Sequence, residues 1–301
     1  MTDLGIIEPQ NNFYINKKWK NIAKGHTAFC ILGGPSISQV KNIQNIISNN
    51  FTITVNHNIK THYNSDLYIT ADNSIAREYF EEKEFCLFKF TGGKLLQNSS
   101  NFKYDATPIW IKGKKDTLQK NPNLIKIIAC NQFPIYNYSF TTGQLPLHHG
   151  KEYCISTPNT YLCIEHRNEQ GESYPILSPH TQDIIDNYGN DPLKLTPGGN
   201  ISGILFQLLW FMGFDKVIVV GYGDKGVSNG YEDNRIFEWS NEEIHAMVTH
   251  NIKWGDKLKS LHGSEICREY CDFKQASYNE LESTPTKKKE LINKLLNLNN
   301  G

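Results

Sequence analysis

Short apolar runs alternate with glycine-rich or polar turns over the first part of the chain. Residues 27–32 form an apolar run that stops at Gly33-Gly-Pro-Ser36, and branched apolar residues at helical spacing follow from Ile37 to Ile47. A second, β-branched run covers residues 51–55. A strand, a glycine turn, a helix and a strand within about thirty residues are typical of a βαβ unit, which has parallel strands and a right-handed crossover.

Two further strands are predicted before residue 91. The run Asp66–Thr70 ends in small and polar residues, residues 75–84 have a helical pattern, and Phe85–Phe90 is again apolar. Strands that alternate with helical segments are the pattern of an α/β protein with a parallel sheet. The sequence therefore predicts an α/β fold with a mostly parallel sheet and helices on both of its faces.

The middle of the chain is less regular than its two ends. Residues 91–195 are rich in glycine, asparagine, proline and tyrosine, and they contain no long periodic stretch. Order returns at Ile201–Met212, which is apolar on nearly all sides and predicts a buried helix, and at Lys216–Val220, which predicts a central strand. We expect an N-terminal extension at 1–25, one α/β domain at 26–285 with a lid or insertion at about 91–195, and a C-terminal helix at 286–301.

Charge and composition exclude some classes of protein. The 301 residues include 31 Lys+Arg and 31 Asp+Glu, so the formal net charge is zero and no overall field exists to hold a polyanion. Nucleic acid is therefore not an expected partner. With 39% hydrophobic residues, the chain has enough apolar surface for a sizeable core. Association of several copies stays open.

Cysteines and apolar stretches bear on the compartment. The seven cysteines include no Cys-x-x-Cys pair, so neither a zinc site nor a redox motif is expected. The longest apolar stretch, residues 201–214, is shorter than the ~18 residues that a membrane helix needs. We expect a cytoplasmic protein. The lysine-rich tail from residue 286 is expected to dock on the domain, with peripheral membrane contact as the alternative.

Polar clusters stand where most of the predicted strands end. Ligands of open parallel sheets bind at the carboxyl ends of the strands, and glycine turns let backbone N–H groups approach a phosphate closely. The coincidence of these clusters predicts a binding site for a nucleotide or sugar phosphate. The residues are Gly33, Gly34, Pro35 and Ser36; Asn56 and Asn58; Asp72 and Asn73; Gly221, Tyr222 and Asp224; and Lys194, Thr196, Gly198, Gly199 and Asn200 near the start of the buried helix.

Each cluster also has a purely structural explanation. The glycine turns could be ordinary strand-to-helix turns, and Asn56 and Asn58 suit a base or a sugar but equally an Asx-turn. Asp72 could accept ribose hydroxyls, could share Mg²⁺ with Asp224 if their strands are neighbours, or could simply be the N-cap of a helix.

Histidine is the residue type most suited to taking a proton from an acceptor hydroxyl, because imidazole exchanges protons near neutral pH. His250 follows the last clear strand and is the candidate base, with His245 five residues earlier as its competitor. The adjacent pair His148-His149 is predicted to lie on a surface loop.

Taken as an ordered set, these motifs resemble two related families. Gly33-Gly-Pro-Ser36, Val55-Asn56, Thr196-x-Gly-Gly, Gly213-Phe214 and Val217–Gly221 resemble, at a distance, the bacterial lipooligosaccharide sialyltransferase family. They also resemble the 6-hydroxymethylpterin diphosphokinase-like family, which includes motility-associated glycosyltransferases. The resemblance covers about residues 26–80 and 194–225.

The resemblance implies a Rossmann-like fold for a nucleotide-binding domain at 26–285, with a smaller lid. It also implies a glycosyltransferase that moves a sialic-acid-like sugar from a nucleotide-activated donor to a hydroxyl of a glycan or small molecule. It implies a cytidine-monophosphate sugar as donor, no required metal, and a histidine base, carried over to His250. The Gly33 turn would hold the donor, Asn56 would contact the nucleotide, residues 196–200 would cradle sugar or phosphate, and Lys194 would face the leaving phosphate.

Some residues depart from the sialyltransferase pattern. Gly33 stands where that family has asparagine. Lys194 stands where it has arginine, and a lysine offers a point charge instead of the bidentate fork of an arginine. Asp72 fits the diphosphokinase-like branch better. Two alternatives therefore remain: a Mg²⁺-dependent pyrophosphokinase that holds the metal with Asp72 and Asp224, and a non-catalytic nucleotide-binding module.

Overall fold

A computed structural model of the chain describes residues 13–33, 43–90, 106–131, 145–165, 193–195, 201–220, 237–240 and 285–299. Within these ranges, the strands are β1 (Thr27–Ile31), β2 (Phe51–Val55), β3 (Leu67–Thr70), β4 (Glu84–Phe90), β5 (Ala106–Lys112), β6 (Ile125–Asn131), β7 (Leu145–Pro146), β8 (Thr160–Glu165), β9 (Lys194–Leu195), β10 (Lys216–Val220) and β11 (Phe237–Ser240).

The described helices comprise six α-helices and three short 3₁₀ helices. The α-helices are α1 (Ile43–Asn49), α2 (Asn73–Phe80), α3 (Lys115–Gln119), α4 (Leu147–Ser156), α5 (Ile201–Met212) and α6 (Pro285–Leu296). The 3₁₀ helices are Lys17–Trp19, Asn56–Lys60 and Asn297–Asn299.

The main sheet has the strand order β11-β10-β1-β2-β3-β6-β8-β9, and β7 pairs with the last residues of β6. Neighbouring strands are parallel along this order except for β10 and β11, which are antiparallel. Strands β2, β3 and β8 are buried at each position, which is why their sequences are continuous apolar runs with few charges. The α/β class with a mostly parallel sheet is confirmed.

Helices cover both faces of this sheet. On one face, Ala28 and Cys30 of β1 pack in a cluster with residues of α5 and α6. On the other face, Phe29 and Ile31 pack against α1. Farther along that second face, Tyr68 of β3 packs with residues of α2 and α4. The prediction of helices on both faces is confirmed.

The chain winds in two directions from β1. It first moves outward through β2, β3, β6 and β8 to β9, and α5 then returns it to β10 on the other side of β1. Because crossovers between parallel strands are right-handed, connections that run in opposite directions place their helices on opposite faces. This reversal creates a topological switch point between β1 and β10, where open α/β sheets bind ligands.

Part of the range that the sequence predicts as a lid belongs to the sheet itself. Strands β6 and β8 lie side by side inside it, with Ile127 opposite Tyr161. The buried Lys126 interrupts the apolar run of β6, and its ammonium is satisfied locally by a hydrogen bond of 2.6 Å to the carbonyl of Leu124. Residues 125–131 and 160–165 are therefore sheet strands.

Strand β4 is present but does not join the parallel sheet. It pairs antiparallel with β5, from Glu84 opposite Lys112 to Phe90 opposite Ala106. In the main sheet, β3 pairs directly with β6, so no strand lies between them. A run such as Phe85–Phe90 predicts a strand correctly, but it does not indicate which sheet the strand enters.

Residues 13–25 pack on the sheet although they include four lysines and two asparagines. Ile15 donates its N–H to the carbonyl of Leu162 at 2.9 Å and accepts the N–H of Leu193 at 2.7 Å. Trp19 is buried, and its ring meets the ring of Tyr161 edge-on at 4.8 Å between centroids. Buried apolar residues, among them Ile15 and Trp19, thus tie this part of the predicted extension to the core.

The predicted C-terminal helix is present as α6, and it docks on the domain. Leu291 and Leu295 are fully buried in the cluster that also holds α5. Lys288 forms an ion pair of 3.0 Å with the buried Asp66 just before β3. In the described part of the chain, no helix combines the length and the apolar character needed to cross a membrane.

Candidate functional site

The structure describes only some of the residues that the sequence proposes for the site. Gly33, Asn56, Asn58, Asp72 and Asn73 are described with their surroundings, and they follow three adjacent strands. For Lys194, only the backbone is described. The remaining proposed residues lie outside the described ranges: Gly34, Pro35, Ser36, Thr196, Gly198, Gly199, Asn200, Gly221, Tyr222, Asp224, His250 and its competitor His245.

Asn58 connects the carboxyl ends of β1 and β2. Its side-chain amide donates a hydrogen bond of 3.3 Å to the carbonyl of Ile31, the last residue of β1. It also lies beside Gly33, since a Cβ placed on that glycine would be 3.9 Å from both polar atoms of the Asn58 amide. The start of the Gly33 turn and the polar turn after β2 therefore form one continuous surface.

Asn56 connects β2 to β3 in a similar way. Its backbone has a φ of 50°, a left-handed conformation that asparagine tolerates better than most residues. Its side-chain oxygen accepts a hydrogen bond of 3.1 Å from the hydroxyl of Thr70 at the end of β3. This bond uses the carbonyl oxygen, so the amide N–H groups of Asn56 are the donors that a ligand would meet.

Asp72 is the N-cap of α2. Its Oδ1 accepts the backbone N–H of Ser74 at 2.8 Å, the hydroxyl of Ser74 at 2.6 Å and the N–H of Ile75 at 3.2 Å. Asp72 therefore caps the helix, which was one of the roles considered for it, and an aspartate in this position needs no ligand. Next to it, the buried Asn73 has a side-chain oxygen with no hydrogen-bond partner within the described structure.

The strand order does not favour a metal shared by Asp72 and Asp224. Asp72 follows β3 and Asp224 follows β10, and β1 and β2 lie between those strands. Three strand spacings of about 4.8 Å put the two strand ends roughly 14 Å apart. Asp72 and Asp224 therefore do not follow neighbouring strands, which was the condition for sharing Mg²⁺. Among the described residues, no group of three or more His, Cys, Asp or Glu side chains could hold a metal ion.

Lys194 lies far from the Gly33 turn. It belongs to β9, which is five strand positions from β1, or roughly 24 Å at the ordinary spacing. The implied contact of Lys194 and the Gly33 turn with one phosphate is therefore not supported by the strand order. By contrast, Ile31 is opposite Val220, so the polar segments that start at Gly33 and Gly221 leave the sheet from adjacent strands at the switch point.

A histidine that the sequence does not single out lies in the same strand-end turn. His57 stands between Asn56 and Asn58, and its Nδ1 is 3.6 Å from a carboxylate oxygen of Glu78 on α2. The other oxygen of Glu78 pairs with the ammonium of Lys114, just before α3. The His57 side chain is 61% exposed while that of Glu78 is only 12% exposed.

Tyr79 completes the surroundings of this imidazole. Its hydroxyl lies 3.5 Å from His57 Nδ1, and the two rings are 6.0 Å apart, nearly edge-on. Burial, with a smaller contribution from Glu78, raises the pKa of the Tyr79 hydroxyl to about 12. The phenol therefore stays protonated at neutral pH, and its oxygen can accept the Nδ1–H of His57. The sequence signal for the His57 site is a histidine between two asparagines at a predicted strand end.

The pair His148-His149 does not lie on a loop. Both residues belong to the first turn of α4, and the Nδ1 of His149 is 3.6 Å from the carboxylate of Glu152 one helical turn later. A glycine and few large apolar residues obscure the helical pattern of this segment.

Comparisons with family models, with curated proteins and with solved structures find no match for the chain. The described part of the site consists of the Asn56 and Asn58 amides after β2, the capped helix α2 after β3, and the His57 imidazole beside the Glu78 carboxylate. Amides can hydrogen-bond a polar ring, and an imidazole can accept a proton.

Proposed function

We propose that the chain is a glycosyltransferase that transfers a sugar from a nucleotide-activated donor to an acceptor hydroxyl. One observation carries the proposal: the polar turns after β1, β2 and β3 form a continuous row beside the switch point between β1 and β10. In α/β proteins this crevice is where nucleotides bind. The motif resemblance to sialyltransferases adds the reaction type and the Rossmann-like assignment.

The donor chemistry suits the groups that this row presents. A nucleotide phosphate that leaves the sugar gains negative charge, which backbone N–H donors of the Gly33 turn would stabilise without bulk positive charge. The amide of Asn56 would meet the base or the sugar. A cytidine-monophosphate sugar as donor and a reaction without a required metal follow from the resemblance to sialyltransferases, and a glycan or small molecule is the acceptor.

The pyrophosphokinase alternative has less support, because β3 and β10 are not neighbours and Asp72 is occupied as a helix cap. A non-catalytic module would use the same nucleotide pocket without turnover. Both alternatives predict nucleotide-binding or turnover results that differ from those expected of a glycosyltransferase.

Thermal shift with a panel of nucleotides separates the three functions. We expect CMP and CMP-sugars to raise the Tm of the protein, equally with Mg²⁺ and with EDTA, because backbone and amide donors hold the phosphate. A rise with ATP that needs Mg²⁺ would favour the pyrophosphokinase instead. CMP binding without release of CMP from a CMP-sugar would favour the non-catalytic module, and no shift with any nucleotide would refute the nucleotide site.

A further inference from the structure

We infer that His57, oriented by Glu78, is the base that deprotonates the acceptor in this reaction. The inference rests on the proposed transferase function and names a residue other than His250 for its proton transfer. It is argued from the position of His57 at the end of β2 and from the groups that surround its ring.

The position of His57 places a titratable ring in the row of strand-end groups. It is flanked by Asn58, which touches the end of β1, and by Asn56, which bonds to the end of β3. The 3₁₀ helix Asn56–Lys60 holds all three side chains on one short turn. A base located there is next to the strand ends at which the donor is proposed to bind.

The contacts of the ring leave one nitrogen for a substrate. Nδ1 faces both the carboxylate of Glu78 at 3.6 Å and the hydroxyl of Tyr79 at 3.5 Å. For Nε2, the described residues provide no hydrogen-bond partner. With the side chain 61% exposed, a hydroxyl group can reach Nε2 from solvent.

Glu78 is held more firmly than a surface carboxylate. It is 12% exposed, it pairs with Lys114, and it belongs to α2, whose start is capped by Asp72. A fixed carboxylate beside one imidazole nitrogen orients the ring and stabilises the imidazolium that forms when the other nitrogen takes a proton. Lys114 lowers this stabilisation in part, because it neutralises some of the charge of Glu78. Glu78 is therefore a positioning residue, and His57 is the proton acceptor.

The proposed step balances as a substitution at the sugar. The acceptor O–H bond breaks, and its proton goes to His57 Nε2. The oxygen forms a bond to the anomeric carbon, while the bond from that carbon to the phosphate oxygen breaks and its electron pair leaves with the nucleotide. His57 then releases the proton to water.

The test uses CMP-sialic acid as donor and water as acceptor, with release of CMP as the readout. For the full-length His57→Ala variant we expect kcat to fall about 100-fold, within the range of general base catalysis. KM and the Tm shift with CMP should stay as in the unsubstituted protein. Imidazole added to the buffer should restore part of the rate, because the site of the missing ring is open to solvent. Glu78→Gln should lower kcat and alter its pH profile.

His149→Ala is the matched control. His149 has the same Nδ1-to-carboxylate distance of 3.6 Å, but it lies on α4 and Glu152 is 67% exposed. We expect this variant to keep the full rate, and His250→Ala to keep at least a tenth of it.

Three results would overturn the inference. Unchanged kcat in His57→Ala would show that His57 is not the base while leaving the transferase function intact. A loss of rate that imidazole does not restore, together with a lower Tm, would show a structural role. Absence of CMP release by the unsubstituted protein, despite a CMP-induced Tm shift, would refute the transferase function and the base together.

Discussion

Asp66 shows how a single buried carboxylate connects two distant parts of the chain. One of its oxygens accepts the backbone N–H of Thr52 at 2.8 Å and the hydroxyl of Thr52 at 3.1 Å, and it pairs with Lys288 of α6 at 3.0 Å. Burial raises the pKa of Asp66 to about 6, although Lys288 and Thr52 both act to lower it. Desolvation of the carboxylate therefore outweighs its partners.

This raised pKa predicts how stability changes with pH. The folded state binds the proton of Asp66 more tightly than the unfolded chain, whose carboxyl has a pKa near 3.9. The stabilisation is therefore complete below about pH 3.9 and is lost as the pH rises through about 6. The difference of about 2 between the pKa values of Asp66 in the folded and unfolded states corresponds to at most about 3 kcal/mol of unfolding free energy.

Urea unfolding at a series of pH values from 4 to 7.5 measures this dependence. We expect the decrease in unfolding free energy over that range to be smaller in Asp66→Asn than in the unsubstituted protein. Asp116→Asn, which removes an exposed carboxylate on α3, is the control and should leave the slope as it is. Equal slopes for the unsubstituted protein and Asp66→Asn would show that Asp66 is already ionised throughout.

At the residue scale, the sequence predicts types of chemistry better than roles. From the sequence, Asp72 fits a ligand-binding role and an N-cap role equally well, because both need a carboxylate at a strand-to-helix turn. Only its hydrogen bonds with the N–H groups of Ser74 and Ile75 identify it as the cap. His57 stands between two asparagines at a predicted strand end, but this pattern does not identify its partner Glu78, which is 21 positions later. A contact between distant residues is a property of the fold.

At the element scale, α6 completes the core of the domain. Its apolar residues Leu291 and Leu295 are fully buried, whereas Lys289 and Glu290 on its other side are exposed. The amphipathic pattern of the lysine-rich tail is therefore satisfied by docking on the sheet face that also holds α5.

Truncation of a buried leucine tests this docking. Leu295→Ala should lower the unfolding free energy by about 2–5 kcal/mol, because it removes buried methyl groups and leaves a cavity. Leu298→Ala makes the same chemical change at a partly buried position and should cost less. Urea unfolding of both variants provides the measurement. Equal, small losses would indicate that α6 is not part of the cooperative core.

The elements themselves were predictable where apolar runs are continuous and bounded by turn residues. Strands β1, β2, β3 and β10 coincide closely with their predicted runs. The sequence places β6 and β8 in a lid or insertion, because residues 91–195 are rich in glycine, asparagine, proline and tyrosine and contain no long periodic stretch. The sequence predicts residues 13–25 as part of a polar extension, whereas Tyr14, Ile15, Trp19 and Ala23 are buried in the structure.

At the scale of the whole molecule, strand order decides which polar clusters can act together. The order brings the turns after β1, β2 and β3 into one row and puts β10 next to β1. It separates β9, and with it Lys194, from that row. No pattern of hydrophobic residues contains this information, because the position of a strand in a sheet depends on the direction in which each crossover runs.

The central claim is that the row beside the switch point binds a nucleotide. Asn58 is the residue that connects the ends of β1 and β2, so its truncation should disturb the site directly. Asn123→Ala changes an exposed asparagine before β6 and is the matched control.

Isothermal titration of CMP in the presence of EDTA tests this claim most directly. We predict saturable binding by the unsubstituted protein and by Asn123→Ala, and an affinity about 10-fold weaker for Asn58→Ala, which corresponds to about 1.4 kcal/mol for a lost polar contact. No saturable binding by the unsubstituted protein, or equal affinities for it and Asn58→Ala, would contradict the account.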